Sequence, residues 1–119
     1  MQRVKFNVNK SETEVCREIE QMIMSVLGTR HNKTKKDKAT VYYPARQFMG
    51  TDDLMDDITI TVRKVNNSTT NICLENTEET FKPVVFGGIV AYSAGSNWRC
   101  PALKLAYDTL YKVLNQMYG

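Results

Sequence analysis

A chain of 119 residues with 42% hydrophobic and 24% charged residues has the size and balance of one globular domain, which excludes a globally disordered chain. The net charge of +3 permits an acidic partner without demanding one. Cys16, Cys73 and Cys100 are odd in number and widely spaced, so neither a zinc-finger pattern nor a disulfide-dense scaffold is expected.

Residues 3–9 alternate, with Val4, Phe6 and Val8 set against Lys5 and Asn7, and this period of two predicts a half-buried strand. Ser11 follows with Glu14 three residues later, the pattern of a capping box. Val15, Ile19, Met22, Ile23, Val26 and Leu27 then recur at helical spacing, and Gly28 stands where a left-handed C-cap belongs. A helix over 11–28 is the expectation.

Residues 29–38 read as a polar, basic loop carrying Arg30, Lys33, Lys35, Lys36 and Lys38. Residues 39–48 contain Val41, Tyr42 and Tyr43 and predict a strand, with Pro44 marking an edge or a break because it lacks an N–H. Residues 50–57 read as a loop, with Leu54 and Met55 in a helical turn. Residues 57–65 alternate cleanly, 66–69 are turn formers, and 70–75 place Ile72 and Leu74 on one face, so a β-hairpin is predicted. Glu78 and Glu79 mark a further loop. Residues 84–92 are almost wholly apolar and read as a central strand with a bulge at Gly87 and Gly88. After a loop over 93–99, Pro101 is placed in the first turn of a second helix, whose stripe is Leu103, Ala106, Tyr107, Leu110, Leu114 and Met117.

The order strand, helix, four strands, helix predicts an α+β single domain over residues 1–119. The expected form is a two-layer sandwich: a mainly antiparallel sheet of about five strands with two helices packed on one face. The other face would stay wet, and a partner is expected there.

Chemistry-bearing motifs are few. His31, the one histidine, lies in the basic segment beside Asn32 and Lys33, and Ser93 and Ser96 form no nucleophile elbow, so no catalytic site is predicted. Asp52, Asp53, Asp56 and Asp57 lack the glycine and terminal glutamate of a calcium loop, and no metal is expected. Cys100, beside Arg99 at a helix start, is read as a small structural residue, as are Cys16 and Cys73. Gly87 and Gly88 form neither a dinucleotide fingerprint nor a phosphate loop, so no cofactor is expected.

Trp98 and Arg99, with Tyr92 nearby, are the residue types enriched at binding hot spots. The leading expectation is a non-enzymatic protein-binding module, an adaptor or inhibitor, with self-association as one form of it. The alternative is nucleic-acid binding through Arg30, Lys33, Lys35, Lys36 and Lys38, which would neutralise phosphates and release counterions. A helix–strands–helix order with a basic surface is similar to double-stranded-RNA-binding domains, in which Ala94-Gly95-Ser96-Asn97 would open the last helix. That family's consecutive lysines at the helix start are replaced here by Trp98, Arg99, Cys100 and Pro101, and the first strand has no counterpart, so membership does not follow. No run approaches about 20 apolar residues, and Met1-Gln2-Arg3 opens no apolar leader, so no membrane span and a reducing, cytoplasmic compartment are expected.

Overall fold

The structure, a computed structural model, describes the backbone of residues 2–48, 51–76, 83–86, 89–92 and 94–119 and the side chains of 2–47, 51–76 and 103–119. Its order is β1 (Gln2–Val8), α1 (Glu12–Leu27), β2 (His31–Lys36), β3 (Ala39–Phe48), β4 (Thr51–Leu54), β5 (Ile58–Asn66), β6 (Thr69–Asn76), β7 (Pro83–Phe86), β8 (Ile89–Tyr92) and α2 (Ala94–Tyr118). Six strands form an antiparallel sheet in the order β1-β6-β5-β3-β2, with β4 joined only to β3.

The register decides which residues share a face. Val4 lies opposite Leu74, Phe6 opposite Ile72, Ile60 opposite Leu74 and Tyr42 opposite Ile60. Because side chains alternate along a strand, this set lines one face. It is the face that the core uses: Phe6, Val8, Tyr42, Ile58, Ile60, Val62, Ile72 and Leu74 pack with Val15, Ile19, Met22 and Ile23 of α1 and with Leu103, Ala106, Tyr107, Leu110 and Leu114 of α2. The fold is therefore α+β, with both helices contributing to one core on one side of the sheet.

α1 begins and ends where its sequence signals stand. Ser11 is extended (φ −68°, ψ 155°) and its Oγ accepts from the Glu14 N–H at 3.3 Å. Gly28 closes the helix in the left-handed region at φ 60°, which a side chain would strain. At the far end of the core, Tyr118 Oη donates to Glu18 Oε1 at 2.7 Å and Lys10 Nζ donates to Glu18 Oε2 at 2.7 Å, tying the C-terminal turn of α2 to α1 and to the β1–α1 connection.

Five local expectations are corrected. The basic segment is an edge strand, β2, and not a loop. It shows no apolar alternation because it has one strand neighbour and its helix-side positions meet polar groups of α1. Its two-residue turn to β3 places Asp37 and Lys38 at φ 52° and 63° without the glycine that normally signals such a turn. Residues 51–54 are strand β4, each of them exposed, and not part of a loop; Asp52 and Asp53 disfavour a strand intrinsically, but Arg46 lies directly across from Asp53. Met55 forms no helical turn and is buried in the core.

The apolar run 84–92 is two strands, β7 and β8. Phe86 pairs with Ile89 so the chain reverses between them, and among the described residues this hairpin pairs with no other strand. Gly87, Gly88, Glu78, Glu79 and Ser93 lie outside the described residues. The last helix starts at Ala94, so Trp98 and Arg99 are helical and Pro101 falls inside α2 instead of in its first turn. Intrinsic preference for a loop over 94–99 is a weak prior that the longer helix overrides. Pro44 behaves as expected: β3 pairs with β5 as far as Tyr42 and with β4 from Ala45, so Pro44 sits where the pairing changes. The 66–69 turn is present, with the Ser68 N–H bonded to Asn66 Oδ1 at 2.9 Å and a register shift between Lys64 and Asn66.

Two non-glycine residues in the left-handed region carry a conformational cost of roughly 1–2 kcal/mol each. Lys38→Gly should therefore stabilise the protein by about 1 kcal/mol, read as a higher urea midpoint at unchanged slope. A lower midpoint would mean that the Lys38 side chain contributes more than its backbone costs.

Candidate functional site

The second face of the sheet is covered by neither α1 nor the part of α2 that enters the core. The register assembles it in rows. Lys5, Cys73, Thr61, Val41 and Thr34 lie side by side across five strands. Asn7, Asn71, Arg63, Ala39 and Lys36 form the next row, and Arg3, Glu75 and Thr59 the row on the other side. At a strand spacing of about 4.8 Å, the central row runs roughly 19 Å.

This face is polar because each strand shows the core its other alternate. Arg3, Lys5, Lys36 and Arg63 are exposed, and Glu75 is the carboxylate among the three rows. Glu75 is already engaged, accepting from Arg3 Nε at 2.8 Å. Arg63 Nη1 donates to the Asp37 carbonyl at 2.7 Å, so its side chain crosses Ala39, which is fully buried although it lies on this face. Asn71 Nδ2 donates to Asn7 Oδ1 at 3.0 Å. Cys73 sits near the middle; burial first, and then Glu75, hold its thiol pKa above the ordinary value, so it is a protonated, weakly nucleophilic thiol at neutral pH.

The opposite layer has the opposite charge. α1 carries Glu12, Glu14, Glu18 and Glu20 against Arg17. Glu12 and Glu20 face the odd residues of β2: Lys35 Nζ is 3.4 Å from Glu12 Oε1, and Lys33 Nζ is 3.5 Å from Glu20 Oε1. Arg30 pairs with Asp52. Of the five cations in the basic segment, three thus have carboxylate partners, Lys36 lies on the open face and Lys38 in the turn. The segment is divided between two faces and does not act as one cationic loop.

His31 is positioned by structure and is not part of a loop. Its Nε2 lies 3.5 Å from Glu20 Oε1, and its ring meets Tyr42 edge-on with centroids 5.3 Å apart. Among the described residues, no hydrogen-bond partner meets buried His31 Nδ1 or the buried Tyr42 and Tyr107 hydroxyls. Burial, more than the neighbouring Cys16 thiol, holds the Tyr42 pKa far above its ordinary value. Two open grooves flank α1. One of about 380 Å³ includes Glu12, Cys16, Glu20, Lys33, Lys35 and Thr40, and one of about 450 Å³ includes Glu18, Met22, Val26, Val113, Met117 and Tyr118. Among the described residues, no group of three or more histidine, cysteine or carboxylate side chains could hold a metal ion.

The protein-binding residues expected from sequence are Tyr92, Trp98 and Arg99. Tyr92 ends β8, and Trp98 and Arg99 lie in the N-terminal part of α2; their side chains lie outside those described. Among the tyrosines of α2, Tyr107 is buried, Tyr118 is half-buried on Glu18, and Tyr111 is exposed. Sequence reading expected a partner on the face of the sheet that the helices leave uncovered. It missed Arg3, Lys5 and Asn71, and it named Lys36 only within the basic segment, because their common face depends on long-range register. The alternation in residues 3–9 was the available signal.

No family model, curated protein or solved structure matches this chain. Among the described residues, no helix is long and apolar enough to cross a membrane.

The clamp at Glu18 has a pH signature. Partial burial pushes its pKa up, but hydrogen bonds from Lys10 and Tyr118 outweigh this and hold it below the ordinary 4.5. A carboxylate with a depressed folded-state pKa contributes stability that is present above its unfolded pKa and lost as pH falls through the folded value. Burial and the bond to Glu18 raise the Tyr118 pKa, so its contribution is complete below about pH 10 and is lost as pH rises toward the folded value. Tyr118→Phe should cost about 1–2 kcal/mol at pH 7. The gap between variant and parent in urea melts should narrow below pH 4. A constant gap from pH 3 to 7 would show that the hydroxyl does not act through Glu18.

Proposed function

We propose that this chain is a non-catalytic binding module that holds an acidic protein segment on the open face of its sheet. The observation that carries the reading is the separation of charge between the layers: Arg3, Lys5, Lys36 and Arg63 on the uncovered face with one engaged carboxylate, and four glutamates on the helix behind it. Such a face steers an acidic partner and fixes its register more than it supplies raw affinity. Thr59, Thr61, Asn7 and Asn71 add donors and acceptors between the cations.

Nucleic acid fits this face less well. The centre of the grid is Thr61, Cys73 and Val41, and Tyr43, in step with Val41 along β3, is the one aromatic residue that the register places on this face among the described residues, a single ring where successive bases would need several. The basic segment expected to grip phosphates has carboxylate partners for Arg30, Lys33 and Lys35. Free thiols at Cys16 and Cys73 support a reducing compartment such as the cytoplasm.

Fluorescence anisotropy with a labelled oligoglutamate peptide tests this reading at low and moderate salt. Lys5→Gln combined with Arg63→Gln should weaken binding roughly three- to tenfold, from two surface ion pairs at about 0.5 kcal/mol or more each. Lys33→Gln combined with Lys35→Gln should leave it unchanged. Affinity should fall as salt rises. Equal loss from both pairs of substitutions, or tighter binding of a DNA oligonucleotide that depends on Lys36 and Lys38, would overturn the reading.

A further inference from the structure

The cations of the open face are gathered at its two margins. Arg3 and Lys5 stand together on β1, at one end of the strand order. Lys36 stands on β2, at the other end, in the row that also holds Arg63. The Arg63 guanidinium turns toward that second margin: Nη1 donates to the Asp37 carbonyl at 2.7 Å, in the turn that also carries Lys38. Arg3 and Lys5 are set against Glu75, and Lys36, Lys38 and Arg63 against Asp37, so each group keeps an excess of positive charge.

Between the groups lie Cys73 and Thr61 in one row and Asn71 in the next, uncharged and half-buried. Charge on an edge strand is a common device against the addition of a foreign strand, and it accounts for Lys36 and Lys5. It does not account for Arg63, which rises from a central strand and is aimed at the same margin as Lys36.

The spacing of the groups follows from the register. At about 4.8 Å between strands and about 3.4 Å between residues, Lys5 lies about 12 Å from Arg63 and about 20 Å from Lys36, backbone to backbone. An extended chain covers that span in about four to six residues. A carboxylate placed over the middle would leave water without gaining an ion pair. The middle suits backbone instead: the Thr61 hydroxyl and the Asn71 amide can meet the unpaired N–H and C=O groups of an extended chain. A helix has its backbone groups already paired and would need an apolar strip to bury, which Cys73, Thr61 and Asn71 do not form.

We infer that the acidic segment proposed above is bipartite. Two groups of carboxylates, separated by about four to six uncharged residues in extended conformation, seat at Arg3 and Lys5 and at Lys36, Lys38 and Arg63. The inference rests on the acidic-partner reading and adds the pattern by which one acidic segment is told from another. Two weak sites on one chain make the second encounter intramolecular, so affinity depends on whether the linker spans them.

Fluorescence anisotropy with a series of labelled peptides tests the spacing. Each peptide carries two Glu-Glu pairs joined by a serine–glycine spacer, which grows from none to about twelve residues. Affinity for the unaltered chain should peak at a spacer of about four to six residues, roughly three- to tenfold tighter than with none, and decline slowly beyond it. Arg3→Gln with Lys5→Gln removes one cationic group, and Lys36→Gln with Arg63→Gln depletes the other; either pair should flatten the series. Equal affinity at every spacing, tightest binding with no spacer, or a peak that survives both pairs of substitutions would overturn the inference while the acidic-partner reading stands, because the peptides still bind. Failure of both oligoglutamate and the whole series to bind would overturn the two together.

Discussion

Burial of α1 against one face of the sheet is the constraint on which the other features depend. Val15, Ile19 and Ile23 are fully buried against strands whose inward residues Ile58, Ile60, Val62, Ile72 and Leu74 are fully buried as well. Removing side chains of this kind from water is worth roughly 1.5–3 kcal/mol each, the largest favourable terms in a domain this small. Because strand side chains alternate, committing Ile60 and Leu74 to the helix commits Thr61 and Cys73 to the other side. The polar face is thus the geometric complement of the core.

The same constraint sorts the charges. α1 meets the core with its apolar stripe and presents its glutamates at the flank, where Glu12 and Glu20 meet Lys35 and Lys33. Those pairs are loose and exposed and add little stability. Their effect is on the field: they neutralise the helix-side lysines of β2 and leave Lys36, one position along and on the other face, with Lys5 and Arg63. A segment that reads as a single basic patch becomes two surfaces of different character.

Elements with strong periodicity were legible. The helix from Ser11 to Gly28 and the β5–β6 hairpin stand where their alternation and turn signals place them, because local preference and burial agree there. β2 and β4 were not legible. His31–Lys36 and Thr51–Leu54 have no apolar alternation, and what holds them is pairing to β3 together with partners far away in sequence. The run from Val84 to Tyr92 misled in the opposite sense: continuous apolar residues look like one central strand, and only the pairing of Phe86 with Ile89 reveals two. The open face was half legible. Alternation showed which residues of each strand point away from the core, but the placement of β1 beside β6, which brings Lys5 next to Cys73, is a non-local fact.

The central claim is that one face of the sheet is sealed by helices and the other is the binding surface. The most direct measurement is a nitrogen–proton NMR titration of the labelled chain with an oligoglutamate peptide. Shift changes are predicted to trace the rows found by register, at Lys5, Cys73, Thr61, Arg63 and Asn71, with α1 unmoved. Changes concentrated along Glu18, Met22 and Val26 and the facing turn of α2 at Val113 and Met117 would contradict the account and place binding in the groove between the helices.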